Sequence, residues 1–412
     1  MCCAVMMFAS SASAEPMLET TDLFEAVQDG YKIFRIPGII VTPKGTLIAY
    51  CEARRSGSDW GEIDILLRRS TDGGRTWSPP ARVAEMPADA VRNAYAPKKV
   101  PSDRAITLDN PVAIADRSGA VHLLYCVEYA RCFYRRSDDD GVTFGPPVEI
   151  TNAFEPLRAA HDWKVIATGP GHGIQLKSGR LLVPVWISLG TLNGHGESRV
   201  ATIYSDDEGK TWKAGEVLPV QDKFESPNET AAAELSDGRV MLNVRHIGKP
   251  PLFRGITTSP TGIGEWSAVR FDEALPEPIC MASLLSLGGR RLLFSNPHNA
   301  TNRDRKNLTI KLSEDDGATW PIARTLEPGP SAYSDLAIGA DGTIYCFFER
   351  GEKGPYERLT LARFNVEWLK QNQPAPTTTK TSSRGSLGDR GISGSKATLD
   401  PEIPRVVKLP SE

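Results

Sequence analysis

The chain has 412 residues, of which 40% are hydrophobic and 24% are charged, so it can form a well-packed core. Its formal net charge of -3 gives no reason to expect nucleic acid or an anionic membrane surface as a partner. No apolar run approaches the roughly 20 residues that a membrane-spanning helix needs.

The first residues have the composition of an export signal. Residues 1–14 are small and apolar and end in Ala-Ser-Ala, which resembles the cleavage site of a signal peptide, although no basic segment precedes them. We therefore expect a secreted or periplasmic protein from which residues 1–14 are removed.

The cysteines and histidines do not form a metal-binding pattern. Three of the seven cysteines, Cys51, Cys126 and Cys346, lie inside strand-like runs, which predicts buried free thiols rather than disulfides. No pair of cysteines has a zinc-type spacing, and the six histidines are scattered, so no metal or cofactor is implied.

Short alternating strands, separated by Gly, Pro and Asp-Gly turns, run from about Tyr31 to Leu369. A turn motif of the form S-x-D-x-G-x-T-(W/F) recurs at Ser70–Trp77, Ser137–Phe144, Ser205–Trp212 and Ser313–Trp320, with a degenerate copy at Ser259–Trp266. In each turn the Asp side chain can accept backbone N–H groups, the Gly allows a positive φ, and the aromatic residue packs underneath. We interpret these turns as structural.

The spacing of the turns predicts the architecture. Repeats of roughly 55–70 residues that hold four strands are typical of propeller blades. Five marked repeats and a strand-rich segment at 331–364 predict a six-bladed β-propeller of four-stranded antiparallel blades over residues 15–370. A strand near Thr20–Ala26 is expected to complete the last sheet and remove its open edge. Residues 371–412 are polar and Gly-rich, which predicts a disordered tail.

Two arginines near the start of the repeats indicate an anionic ligand. Arg35 lies in the otherwise apolar run I-F-R-I-P, and Arg54 follows the next strand-like run. A buried arginine is unfavourable unless an anion meets it, and the guanidinium fork matches a carboxylate.

The segment F-R-I-P, followed by an S-x-D-x-G-x-T-W turn, resembles the exo-α-sialidase (neuraminidase) family of bacterial type, which carries Asp-box repeats. The resemblance covers about residues 20–367. It implies a retaining glycosidase that acts as a monomer, without metal or cofactor. Its implied substrates are terminal α-linked sialic acids of glycoproteins, glycolipids and oligosaccharides.

The resemblance also implies a clamp for the substrate carboxylate. Its positions match Arg35, Arg245 and Arg305, and Glu349 matches the glutamate that braces the first of these arginines. Arg303 is an alternative to Arg305, but the pattern R-x-N-x-T-x-x-x-S-x-D-x-G favours Arg305.

Further positions match the groups around the sugar. Asp59 in S-G-S-D-W-G matches the general acid/base, and Arg54 matches an arginine near the sugar O4. Asp109-Asn110 in D-N-P resembles a turn on the acetamido and O4 side of the pocket. Trp186 is either a contact of the glycerol tail or a buried strand residue.

Tyr333 in P-S-A-Y-S-D-L matches the family nucleophile, and Glu229 in P-N-E-T matches its base, with Glu225 and Glu234 as rivals. The anomeric carbon of sialic acid carries a carboxylate, which would repel a carboxylate nucleophile. A neutral phenol attacks without that repulsion while the glutamate takes its proton.

Two other interpretations remain. A catalytically silent Asp-box propeller could bind glycans or proteins, but it would lack one of Tyr333, Glu229 and Asp59, and all three are present. A hydrolase of a related 2-keto sugar acid, such as a deaminated sialic acid, would differ in the pocket beside Asn110.

Overall fold

The computed structural model describes residues 14–98, 106–191, 195–219, 221–222, 224–247 and 253–371. All of the expected signal peptide except its last residue lies outside these ranges. So does the expected tail, apart from residue 371. Both expectations therefore stay predictions.

Within the described ranges the chain is almost entirely β-structure. A 3-10 helix at Thr151–Ala159 and a short α-helix, α1, at Val366–Lys370 are its two helices. The strands are β1 (Leu18–Glu25), β2 (Ile33–Val41), β3 (Leu47–Arg54), β4 (Ile63–Ser70), β5 (Ala81–Arg82), β6 (Leu108–Ala115), β7 (Val121–Val127), β8 (Arg131–Ser137), β9 (Val148–Glu149), β10 (Val165–Thr168), β11 (Gly171–His172), β12 (Ile174–Gln175), β13 (Leu181–Ser188), β14 (Ser198–Ser205), β15 (Lys213–Ala214), β16 (Thr230–Glu234), β17 (Val240–Val244), β18 (Phe253–Ser259), β19 (Arg270–Pro276), β20 (Ser283–Ser286), β21 (Leu292–Pro297), β22 (Lys306–Ser313), β23 (Ile322–Ile338), β24 (Ile344–Arg350) and β25 (Arg358–Phe364).

These strands form sheets in which most neighbours in sequence are also neighbours in space. In chain order the sheets run β2-β3-β4-β5, then β11-β6-β7-β8-β9, then β10-β13-β14-β15 with β12 on β13, then β16-β17-β18-β19, and finally β1-β25-β24-β23-β22-β21-β20. All pairings are antiparallel except that of β11 with β6. The predicted all-β fold class is confirmed at this level.

The last sheet joins the two ends of the described chain. β1 pairs antiparallel with β25, and Leu18 lies opposite Phe364. The N-terminal strand therefore covers the edge of β25, as predicted, and an exposed edge that could pair with another chain is removed.

Most of the apolar cores lie between two sheets, and these sheets follow one another around a ring. One further core lies within the last sheet and against α1. Residues of the first and second sheets share one core, and the same holds for each following pair. The last sheet packs on the first through a core that includes Leu47, Cys51, Phe347 and Leu361. This arrangement lets residues that are distant in sequence meet near the axis of the ring.

The four Asp-box turns have one hydrogen-bond pattern. In the first, Asp72 Oδ1 accepts the backbone N–H of Thr76 at 2.9 Å, Asp72 Oδ2 accepts the Thr76 hydroxyl at 2.6 Å, and Ser70 Oγ accepts the backbone N–H of Gly74 at 2.8 Å. The same bonds recur around Asp139, Asp207 and Asp315. The predicted turn chemistry is confirmed.

The predicted state of the cysteines is also confirmed. Cys51, Cys126 and Cys346 are free and buried, as are Cys132 and Cys280. None of the helices in the described ranges has the length and apolar character that a bilayer crossing requires.

We expect the Asp-box residues to affect stability without affecting the chemistry of the cavity described below. Trp212 is 8% exposed in the core between the second and third sheets, so Trp212→Ala should cost roughly 3–5 kcal/mol of unfolding free energy. Asp72→Ala should lower the melting temperature as well, because the turn loses its organising acceptor. The measurement is thermal unfolding together with activity per folded molecule, and a catalytic defect in well-folded Asp72→Ala would contradict a structural role.

Candidate active site

A cavity of about 380 Å³ collects most of the residues that the sequence singled out. Its charged lining consists of four arginines and two carboxylates: Arg35, Arg54, Arg245, Arg305, Asp59 and Glu229. The excess of arginines makes the cavity electropositive and suits it to an anionic ligand. A second cavity of about 320 Å³ is lined mainly by aliphatic residues and contains none of the predicted site residues.

Arg35 is directed into the cavity by an irregularity in β2. The register with β3 shifts between Arg35 and Gly38, and Ile36 has a φ of 59°. A bulge of this kind redirects the side chains beside it. Arg35 is 8% exposed, and its Nε donates to Glu349 Oε1 at 3.0 Å.

Glu349 on β24 forms hydrogen bonds with both β2 and β23. Its carboxylate also accepts the backbone N–H of Ile36 at 3.1 Å and that of Tyr333 at 2.9 Å. Because Glu349 is fully buried, its charge-assisted hydrogen bonds fix the position of Arg35 relative to the strand that carries Tyr333.

The other two predicted clamp arginines flank the same tyrosine. Arg245 follows β17, and its Nη1 donates to the Tyr333 hydroxyl at 2.8 Å and to Glu229 Oε2. The guanidinium groups of Arg35 and Arg305 lie 4.9 and 5.3 Å from the centre of the Tyr333 ring. The structure thus brings the three arginines together around one side chain.

Arg305 has an uncompensated charge. It donates to the carbonyl of Ile279 at 2.7 Å and to the Tyr356 hydroxyl at 3.1 Å, and it has no carboxylate partner among the described residues. Arg303 is exposed and does not line the cavity. Of the two candidates, Arg305 is the one in a position to receive an anion.

Tyr333 and Glu229, which both line the cavity, form a short hydrogen bond. The Tyr333 hydroxyl donates to Glu229 Oε1 at 2.5 Å. Burial and the neighbouring carboxylate raise the pKa of Tyr333 above its ordinary value, although the three arginines act in the opposite direction. The phenol is therefore protonated, with its proton directed at Glu229.

The rival carboxylates lie elsewhere. Glu225 is exposed, and Glu234 accepts the backbone N–H of Lys177 at 2.8 Å. Neither lines the cavity, whereas Glu229 does.

Asp59 lies beside two of the cavity arginines. Its Oδ1 accepts from Arg54 Nη1 at 2.5 Å and lies 3.7 Å from Arg35 Nη1, and 47% of its side chain is exposed. Partial burial of the Asp59 carboxylate raises its pKa. The charges of Arg54 and Arg35 outweigh this effect and hold the pKa well below its usual range. The carboxyl group of Asp59 is therefore ionised.

Arg54 is buried between two carboxylates. Glu52 Oε2 accepts from its Nε at 2.8 Å on one side, and Asp59 lies on the other. Glu52 Oε1 accepts the backbone N–H of Asn110 at 2.8 Å, which links Arg54 to the next sheet.

The structure separates the Asp109–Asn110 pair. Asn110 lines the cavity with a φ of 50°, but Asp109 is fully buried behind it and accepts the backbone N–H of Tyr129 at 3.1 Å. The register of β6 with β7 shifts between Asp109 and Val112, and an irregularity of this kind redirects the side chains beside it. Asp109 supports the cavity wall and does not line it, contrary to the expected contact.

Several lining residues were not predicted. Tyr356 covers the Arg35 guanidinium at 4.2 Å, and the ring of His195 lies 6.4, 6.0 and 5.7 Å from the rings of Trp60, Tyr129 and Trp186. Burial lowers the pKa of His195 more than the charge of Asp59 raises it. Trp186 is both buried and part of the lining, so its two interpretations are compatible. His195 and Tyr356 lie in irregular loops, where no periodic pattern marks them.

Comparison with known proteins identifies the family. A model described as a BNR repeat-like domain matches residues 92–346, and a BNR/Asp-box repeat matches residues 68–79. The chain belongs to the BNR repeat-like domain family. The resemblance inferred from the sequence is confirmed.

The relatives of this family member include bacterial sialidases. A sialidase of Micromonospora viridifaciens is 33% identical, and the match covers 86% of this chain and 55% of that protein. A sialidase of Bacteroides fragilis is 31% identical, with 79% and 61% covered. This chain therefore spans a little over half the length of these two relatives.

A solved structure agrees with the family. The Hadza microbial sialidase Hz136 is 26% identical and superposes with a TM-score of 0.69, covering 84% of this chain and 68% of that one. The ring of antiparallel sheets described above fits the β-propeller of this family.

Proposed function

We propose that the protein is an exo-α-sialidase that removes terminal α-linked sialic acids from glycoproteins, glycolipids and oligosaccharides. The observation that carries the proposal is the convergence of three arginines on Tyr333, whose hydroxyl lies 2.5 Å from Glu229. One cavity thus contains both the arginines that can bind a carboxylate and a tyrosine paired with a base. The sialidase names of the relatives support the same activity.

The finer fold prediction belongs to the same proposal. The 17-residue strand β23 pairs with β22 through its first half and with β24 from Ser331 onward. If the seven-stranded sheet is divided there, the ring consists of six four-stranded blades over residues 15–370, apart from the additional short strands β11 and β12.

The clamp would hold the substrate carboxylate through Arg35, Arg245 and Arg305. Each guanidinium can offer two parallel N–H donors to a carboxylate. Arg305 supports this role most directly, because its charge has no carboxylate partner among the residues that the structure describes. A bound carboxylate would supply that partner.

Tyr333 would act as the nucleophile. As its oxygen bonds to the anomeric carbon, its proton passes to Glu229 Oε1, and Arg245, 2.8 Å away, stabilises the negative charge that develops on the oxygen. The bond to the leaving oxygen breaks as that oxygen takes the proton of Asp59. Water then attacks the tyrosyl intermediate with Asp59 as base, and Glu229 returns its proton to Tyr333. Two inversions give net retention.

An acid role for Asp59 requires that substrate binding raise its pKa. Arg35 and Arg54 hold the pKa of Asp59 low, so it carries no proton to donate. A substrate carboxylate that engages Arg35 would draw that charge away and add a negative charge nearby, and both effects raise the pKa of Asp59. Substrate binding would thus allow Asp59 to take up the proton that it then donates to the leaving oxygen.

The remaining expectations stay predictions. Secretion or a periplasmic location rests on residues 1–14, and a monomeric state rests on the family resemblance. A related 2-keto sugar acid as substrate would be distinguished in the pocket beside Asn110, which lines the cavity.

The direct test is release of methylumbelliferone from its N-acetylneuraminic acid glycoside. Charge-assisted contacts contribute roughly 1.5–3 kcal/mol each, so Arg305→Ala should lower kcat/KM on the order of tenfold to a hundredfold. Arg303→Ala is the matched control and should behave as wild type, because Arg303 is exposed. A folded wild type without activity would contradict the proposed function. Loss of activity in Arg303→Ala but not in Arg305→Ala would contradict the assignment of Arg305 to the clamp.

Asp59→Asn tests the acid. It should abolish cleavage of natural sialosides but retain more activity on glycosyl fluorides or nitrophenyl glycosides, whose leaving groups need little protonation. The measurement is kcat/KM on both substrate types for the variant and wild type. Equal losses on both would indicate that Asp59 only binds the sugar.

A further inference from the structure

Tyr356 lies in the loop between β24 and β25, and it contacts two of the three clamp arginines. The centre of its ring is 4.2 Å from the guanidinium carbon of Arg35, and its hydroxyl oxygen accepts from Arg305 Nη1 at 3.1 Å. Tyr356 also lines the cavity and packs against the core that includes Ile36 and Tyr333. It therefore contacts the clamp with both its aromatic face and its hydroxyl group.

The loop that carries Tyr356 is held by hydrogen bonds at several points. The carboxylate of the next residue, Glu357, accepts the backbone N–H groups of residues 352–354 at 3.1, 2.7 and 3.0 Å. The carbonyl of Glu357 accepts the backbone N–H of Ala26 at 2.8 Å, which joins the loop to the end of β1. These bonds fix the backbone beside Tyr356, although Tyr356 is not part of a strand.

The hydroxyl proton of Tyr356 is available to a ligand. Because the hydroxyl oxygen accepts from Arg305, its O–H bond points in another direction, and it donates to no acceptor within the described ranges of the chain. A carboxylate is a favourable acceptor for such a donor, since hydrogen bonds to a charged group are shorter and stronger than those between neutral groups. A carboxylate held by Arg35 and Arg305 would bring this acceptor to Tyr356.

We propose that Tyr356 is a further substrate-binding residue of the clamp, and that its hydroxyl donates a hydrogen bond to the substrate carboxylate while accepting one from Arg305. This proposal rests on the proposed function, in which Arg35 and Arg305 bind that carboxylate. The hydrogen bond from Arg305 polarises the phenol and makes its O–H a stronger donor. A neutral donor also avoids the repulsion that another positive charge would meet beside the arginines.

The test compares wild type with Tyr356→Phe in the binding of two ligands. One is DANA, the inhibitor bound in a solved Trypanosoma rangeli sialidase, and the other is its carboxamide, which has nearly the same shape but no negative charge. Tyr356→Phe keeps the ring beside Arg35 and removes the hydroxyl, so DANA should bind on the order of tenfold more weakly. The carboxamide should lose roughly threefold or less, because its neutral oxygen is a weaker acceptor. Dissociation constants are measured by calorimetry for DANA and by NMR titration for the carboxamide.

Tyr204→Phe is the matched control. The ring centre of Tyr204 lies 4.6 Å from the guanidinium carbon of Arg180, so the same hydroxyl is removed beside an arginine. Tyr204 does not line the cavity. The control should therefore bind both ligands as wild type does, and a tenfold loss of DANA affinity in it would overturn the specific role of Tyr356.

The outcomes separate the two proposals. A folded wild type that binds no DANA contradicts the proposed function. If wild type binds DANA and Tyr356→Phe binds it equally well, only the role of Tyr356 is overturned. Equal losses for DANA and the carboxamide in Tyr356→Phe also overturn that role, because a general disturbance of the cavity would weaken both ligands alike.

Discussion

The buried carboxylate of Glu349 is the contact on which the geometry of the cavity depends. It binds the guanidinium of Arg35 and the backbone N–H groups of Ile36 and Tyr333, so it joins β2, β23 and β24 at one point. Removing one partner of a buried charge pair leaves the other uncompensated, at a cost of roughly 3–5 kcal/mol. The position of the anion-binding arginine is therefore tied to that of the tyrosine it surrounds.

This contact is possible only because the sheets close into a ring. Arg35 and Glu349 lie far apart in the chain, and the packing of the first sheet against the last brings them together. Arg245 and Arg305, which flank strands of the fourth and last sheets, reach the same tyrosine from other positions around the ring. The Asp-box turns stabilise the ring at hairpins that do not line the cavity, which leaves the lining residues free to serve binding and chemistry.

The sequence predicted those features that rest on local chemistry or on motifs. The Asp-box bonds around Asp72 follow from residue types at fixed offsets, and Arg35, Glu229 and Tyr333 were recognised by their motifs. The orientation of Asp109 was not predictable, because the register shift in β6 decides which side chain faces the cavity. The E-P-G-P segment before Ser331 reads as a break, yet β23 passes through it and joins two groups of strands. The buried ion pair between Glu277 and Arg254 could not be predicted either. No sequence motif marks it, because the two residues are buried and paired only in the folded chain.

In the proposed mechanism, Tyr333 attacks the anomeric carbon while Glu229 takes its proton. The most direct measurement is mass spectrometry of the protein after incubation with 2,3-difluorosialic acid. Its C3 fluorine slows both steps by destabilising the transition state, and its C2 fluoride still allows the first step. We expect a covalent adduct on the peptide that contains Ala332, Tyr333 and Ser334, and no such adduct in Tyr333→Phe. An adduct on Glu229, or turnover of natural substrate that first releases the β-anomer, would contradict it.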